Sequence, residues 1–211
     1  MMKISMKKVL AFLLTLMMLS TTVYAKDRPK ENYEAYHKTH KIILKNMNKD
    51  LLKGSKTGDI TLDFLNQMLT HHKGAIALVE NELTNGDNPI IWQFARGIQK
   101  NCLKQSEQMK QLLRELKEQK MVDKEKEAQY LTKYERIVTE MMDELSETDC
   151  EENVDKAFVL QMIVHHKGTI KIAQNILAYT PNVMVQEIAG KIIDRQSKEI
   201  KQMEKFAREI R

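Results

Sequence analysis

The stretch FLNQMLTHHKGAI, Phe64 to Ile76, returns as FVLQMIVHHKGTI, Phe158 to Ile170, at an offset of 94 positions. Eight of the thirteen positions are identical: Phe, Gln, Met, His, His, Lys, Gly and Ile. The offset holds further along, where Ala95 matches Ala189, Ile98 matches Ile192, Gln108 matches Gln202 and Met109 matches Met203. A chain with this internal match has to build one unit twice, over 60–117 and again over 154–211.

The unit is helical. Apolar residues recur at three- and four-residue spacing, with no sustained alternation of the kind strands require. Gly and Pro are scarce, seven and three in 211 residues, and several of them mark helix ends. The pattern predicts helices over 31–53, 60–84, 89–119, 123–146, 154–179 and from 183 to the end. Lys53-Gly54-Ser55, Asn85-Gly86-Asp87-Asn88-Pro89 and Thr180-Pro181-Asn182 supply three of the breaks. The fold class is all-α: two matched hairpins forming a four-helix bundle, with the helices at 31–53 and 123–146 packed outside it. Bundles of this kind build metal and cofactor sites in the core from side chains on facing helices.

Residues 1–25 read as a secretory signal peptide, with Lys3, Lys7 and Lys8 before the apolar run Val9–Leu19 and Val23-Tyr24-Ala25 at the cleavage point. The run is shorter than the roughly 20 residues of a spanning helix, so no membrane insertion is expected after cleavage. The domain organisation is then a signal at 1–25, an N-terminal helix and linker at 26–58, and a bundle at 59–211. Within the bundle the repeats occupy 59–118 and 152–211, joined by a connecting helix over 119–151. The signal holds three of the 34 basic residues, leaving 31 against 29 acidic ones. That balance, without a basic block, argues against a nucleic-acid partner. Secretion or an extracytoplasmic setting, periplasm or cell surface, follows from the signal. In such a compartment Cys102 and Cys150 either pair or leave Cys102 as a free thiol.

The doubled motif carries the chemistry. At 100° per residue, Met68 and His72 lie about 40° apart and His71 about 60° to the other side of Met68. The same stripe holds Phe64, Leu65, Ala75, Ile76 and Val79, and in the second copy Phe158, Val159, Ile170 and Ala173, so the histidines point inward. A buried imidazole without partners costs about 1–3 kcal/mol, and four in one core call for something bound there. Thioether sulfur is a poor ligand for hard cations and suits Cu(I), as imidazole also suits copper. Met68 with His72, and Met162 with His166, are the expected local chelates, with His71 and His165 reaching to another helix or a second ion. Gln196 and Glu199, and at the matching places Cys102 and Gln105, are placed to hold the outer imidazole nitrogens. Gly74 and Gly168, each costing about 1 kcal/mol mid-helix relative to Ala, point to a helix approaching closely. His37 and His40 read as a solvated pair on a Lys-rich helix, with a minor third site alongside Met47 as the alternative.

The Phe-x-x-x-Met-x-x-His-His-x-Gly-x-Ile pattern at 64–76 and 158–170, with the trailing helices ending in Met109 and Met203, resembles the secreted ferritin-like proteins catalogued as domain of unknown function 305. The resemblance covers about 59–118 and 152–211. It implies an extracytoplasmic four-helix bundle, with copper binding and copper resistance known among members. It also implies that Met68, His71, His72, Met109, Met162, His165, His166 and Met203 carry the metal. The family pattern has Pro before the His pair, where this chain has Thr70 and Val164, and Thr169 stands in the second copy where Ala follows Gly in the first.

The expected function is therefore non-catalytic copper binding, favouring Cu(I), with the metal ion and another copper-handling protein as partners. A ferritin-like oxidase is the enzymatic alternative, and against it neither motif copy carries a Glu-x-x-His set, each holding Gln67 or Gln161 rather than an acid. The third reading is a helical interaction module with structural or pH-sensing histidines.

Overall fold

A computed structural model describes residues 31–148 and 153–210. The expected signal at 1–25 and Cys150 lie outside the described residues. Six helices follow in order: α1 over 31–53, α2 Ile60–Asn85, α3 Pro89–Leu116, α4 Lys124–Glu147, α5 Val154–Leu177 and α6 Val183–Glu209, with a 3₁₀ turn at Lys117–Gln119. No strand occurs among the described residues, and none of their helices is long and apolar enough to cross a membrane.

Side-chain caps set the helix starts. Asp59, Asn88, Asp123, Asn153 and Asn182 each accept a hydrogen bond from a backbone N–H in the first turn of the helix that follows. A short side-chain acceptor satisfies one of the orphan donors at a helix start. Pro89, which lacks an N–H, opens α3 where none is needed.

The helices form three layers, with α2 and α5 in the middle. On α2, Gly74 meets α1 and His72 meets α3, and these positions lie about 200° apart around the axis. On α5, Gly168 meets α4 and His166 meets α6 in the same way. Helices covered on both sides must be apolar nearly all round, and the motif segments are greasy for that reason.

The outer helices obey the offset of 94 as well. Tyr36 and Tyr130, Ile43 and Ile137, Met47 and Met141, and Leu51 and Leu145 are identical pairs. Tyr36 Oη donates to Gln161 Oε1 at 2.7 Å, and Tyr130 Oη donates to Gln67 Oε1 at 2.6 Å. Asn81 Nδ2 donates to the Tyr36 carbonyl and Asn175 Nδ2 to the Tyr130 carbonyl, at 3.0 and 3.1 Å. So α4 does more than connect: it stands to α5 as α1 stands to α2. Each outer tyrosine is held by the asparagine of its own half and bonded to the motif glutamine of the other.

Gly74 and Gly168 are the points of closest approach. A Cβ built on Gly74 would collide with the Met47 sulfur, and one on Gly168 with the Met141 sulfur. Absent side chains there let α1 and α4 seat against the central layer.

Buried side chains gather into two cores at opposite ends. One takes Phe64, Leu65, Met68 and Met109 with Val164, Ile172 and Ile192; the other takes Phe158, Val159, Met162 and Met203 with Ala75, Val79 and Ile98. The four motif histidines occupy the waist between them.

Candidate metal centre

His71, His72, His165 and His166 are 1–2 % exposed. The antiparallel crossing of α2 and α5 brings His71 and His165 together with ring centroids 4.2 Å apart and planes tilted by 52°, and the His165 ring lies 6.0 Å from that of His166. Met68, Met109, Met162 and Met203 are fully buried. Met68 precedes His72 by one turn, and Met109 follows the His72 partner Gln105 by one turn, so both thioethers flank the layer on one side. Met162 and Met203 flank it on the other in the same relation to His166 and Glu199. The four histidines thus form the waist, and the four methionines belong in pairs to the two cores that flank it.

The expected holders of the outer nitrogens are half right. Gln105 Oε1 lies 2.9 Å from His72 Nε2, and Glu199 Oε2 lies 3.0 Å from His166 Nε2. Glu199 is itself bonded by Asn101 Nδ2 at 3.3 Å. Cys102 and Gln196 do not take that role. Cys102 is a buried thiol, free among the described residues, that burial pushes up to about 12, and the Gln196 side-chain carbonyl has no partner among them.

Burial favours the neutral form of His71, His72 and His165. Desolvation, then the neighbouring rings, lower His71 to about 3 and hold His165 well below the usual histidine range; His72 is lowered by burial too. A neutral imidazole offers one N–H and one lone pair. Thr169 Oγ1 donates to the His165 carbonyl at 2.8 Å, so at 3.4 Å it faces His71 Nδ1 as an acceptor and leaves the His71 Nε2 lone pair open. The Glu199 carboxylate accepts from His166 Nε2–H and leaves Nδ1 open. His71 Nε2, both nitrogens of His165 and His166 Nδ1 are buried with no partner among the described residues. Also among the described residues, no three His, Cys, Asp or Glu side chains converge as a ready-made cage. The donor set is one of open lone pairs and nearby thioethers, which fits a soft ion of low coordination number better than a hard one.

His40 corrects the reading of a solvated pair. It is 3 % exposed, stacks on Tyr36 with centroids 5.9 Å apart, and has no partner for either nitrogen among the described residues. Met47 is two turns away against Gly74, so it adds no ligand. The stripe Tyr36, His40, Met47, Leu51 is the buried face of α1.

One open groove of about 210 Å³ lies between α3 and α6, lined by Gln105, Leu112, Met184 and Ile188 among others, and Gln105 is the residue over His72.

The sequence matches the family described as Domain of unknown function (DUF305) over residues 8–113 and again over 59–207. The chain belongs to that family. Among solved structures, CopM in its Cu(II)-bound form is 24 % identical over 72 % of this chain and 98 % of its own, with a TM-score of 0.53. CopM in its Ag-bound form, obtained by soaking, is 25 % identical over 71 % of this chain and 96 % of its own, TM-score 0.53. A DUF305 fragment from Deinococcus radiodurans is 22 % identical over 74 % and 99 %, TM-score 0.52. These likenesses make the helical bundle a family fold. No curated relative matches the sequence.

Proposed function

We propose that this protein binds copper, favouring Cu(I), without catalysing a reaction on it, and sequesters or passes on the ion outside the cytoplasm. The observation that carries the reading is the set of buried imidazole lone pairs left open between two thioether pairs. Met68, His71, His72, Met109, Met162, His165, His166 and Met203 are the candidate ligands. Solved forms of CopM with Cu(II), Cu(I) and Ag bound support the choice of metal. When bound, a soft monovalent ion accepts electron density from sulfur and imidazole and supplies the partners these nitrogens lack.

The protein's own part is to hold neutral imidazoles in a dry waist. Because burial keeps His71 and His165 from taking up protons, protons do not compete for these ligands near neutrality. The same depression argues against histidines that sense pH between 5 and 8. The extracytoplasmic setting rests on the leader at 1–25. Donor and acceptor would be other copper-handling proteins meeting the α3–α6 groove.

The test is anaerobic loading of untagged protein with Cu(I), Cu(II), Zn(II) or Fe(II) against a chromogenic competitor. Tight Cu(I) uptake that disappears when Met68→Leu/His72→Ala and Met162→Leu/His166→Ala are combined is the expected result. Preferential iron uptake with oxygen consumption would establish an oxidase instead, and no uptake of any metal would leave a structural module. Fractionation of the native host for the processed chain checks the compartment.

A further inference from the structure

A cleft of about 440 Å³ opens between the end of α1 and the first half of α2, with Tyr134 of α4 in its wall. It is of the size that small ligands occupy. The cleft lies on the side of α2 that meets α1, whereas His72 meets α3. Gly54, at a φ of +49°, a left-handed value that favours glycine, turns the chain back from α1. Ser55 then accepts from Asn66 Nδ2 at 3.4 Å and keeps its own O–H to donate. Gln67 is 3 % exposed; its Oε1 accepts from Tyr130, and its Nε2 is buried with no partner among the described residues. Buried side-chain donors ordinarily have one. Lys73 is tied to Asp50 by an exposed ion pair at 3.6 Å, a weak link in water, and Lys53 brings a second ammonium to the same cleft.

The fold does not require this polarity, because the duplicated half does without it. At the offset of 94, Asn66 corresponds to Leu160, Thr70 to Val164 and Lys53 to Glu147, while Gln67, Lys73 and Asp50 correspond to Gln161, Lys167 and Glu144. Lys53, Lys73 and Asp50 sum to +1, and Glu147, Lys167 and Glu144 to −1. We propose that the cleft between α1 and α2 is a binding site for a small oxyanion, a phosphate group either free or carried as an ester, separate from the copper centre. Lys53 and Lys73 act as the point charges that suit phosphate, with Lys73 exchanging Asp50 for the ligand. The Ser55 hydroxyl donates to it, and Gln67 Nε2 is the innermost donor. The matched place in the other half, with its charge reversed and Leu160 and Val164 in place of polar side chains, binds no anion.

The experiment titrates the ¹⁵N-labelled, metal-free protein with inorganic phosphate and follows it by two-dimensional NMR. Ionic strength is held constant, because salt screens exposed lysines. A second arm uses glycerol phosphate, and the tighter of the two tells whether the site takes the free ion or the ester. Saturable shifts are expected at the Gly54 and Ser55 amides and at the Gln67 side-chain NH₂, with none at Thr148 and Gln161, the matched positions of the other half. Lys53→Glu and Asn66→Leu each install the residue that the second half already carries, so both are expected to fold, as melting checks, and each should weaken binding at least about tenfold, a loss of one charge-assisted contact. Shifts that rise linearly without saturating, equal shifts in the two halves, affinity unchanged within twofold in either folded variant, or saturable binding of Mg(II) in place of phosphate would each overturn the proposal. Copper uptake at the waist is measured separately and stands or falls on its own.

Discussion

In the first half of the molecule His72 has a partner on each side of its ring, Gln105 and the Met68 backbone; in the second half His166 has only Glu199. Around that difference the halves agree closely: the same tyrosine-to-glutamine bond, the same asparagine on the tyrosine carbonyl, the same methionine seated on the same glycine. Scaffold contacts are kept because a misfit there costs stability in either half. The centre differs because one polar side chain on α3 or α6 changes what its histidine can do without changing how the helices pack.

Substituting across the pairs breaks or sharpens this comparison. The largest effect is expected at the crossing. His165→Leu removes the ring with two unpartnered nitrogens, so Cu(I) affinity should fall at least about 100-fold while the apo protein becomes more stable, by about 1–3 kcal/mol for a buried polar group left unpaired. His72→Leu should instead destabilise the apo protein, because it strips Gln105 of its partner. Urea unfolding of the two metal-free variants reads the contrast, and equal signs would erase it.

Next in size are the glycines, where the halves should respond alike. Gly74→Ala and Gly168→Ala each force a methionine sulfur aside and should cost about 1–3 kcal/mol, as overpacking does. Pairing each with Met47→Ala or Met141→Ala should recover part of that loss. A large difference between the two positions would show that α1 and α4 are not seated equivalently.

A pH series separates the ends of the bundle. Burial first, then Asp155 and Asp87, raise Glu82 to about 9; the matching residue in the second half is Ile176. A carboxyl raised on folding binds its proton more tightly in the folded state. Its contribution is therefore full below the ordinary value of 4.5 and lost as pH climbs from there through about 9. Glu82→Gln should flatten that loss and raise the melting temperature at pH 9, with little change at pH 4.5. The His71 effect has the opposite sign: its pKa is lowered, so its contribution is present above 6.5 and lost as pH falls toward about 3. Melting temperatures across pH 3–9 should show both edges.

The smallest expected effect is at the outer tyrosines. Tyr36→Phe and Tyr130→Phe each remove one buried hydrogen bond, worth about 1 kcal/mol, and chemical denaturation should give the two similar values.

Much of this was legible in the chain. Helix limits came within two or three residues because Asx caps, Gly and Pro mark them. The inward histidines followed from a helical stripe, and the close approach at Gly74 and Gly168 from the cost of glycine inside a helix. Less visible was the kinship of α1 and α4: Tyr36/Tyr130, Ile43/Ile137, Met47/Met141 and Leu51/Leu145 are isolated matches among exposed residues free to vary. The same four-residue intervals place His40 on the buried face, a signal that the surrounding lysines obscured. What no spacing reveals is the hydrogen-bond asymmetry. Thr169 acts on His71 from the facing helix, and only the crossing of α2 and α5 brings them together.

The crossed tyrosines carry one last consequence. Because Tyr36 reaches Gln161 and Tyr130 reaches Gln67, severing the chain between α3 and α4 would leave each fragment's central helix bare along one side and its glutamine without its phenol. A fragment over 124–210 would then bury its exposed helix by associating with an identical fragment, each lending Tyr130 to the other's Gln161. The intact polypeptide is, in effect, a dimer whose two subunits are tethered, which keeps its halves at fixed stoichiometry while leaving them free to differ in sequence.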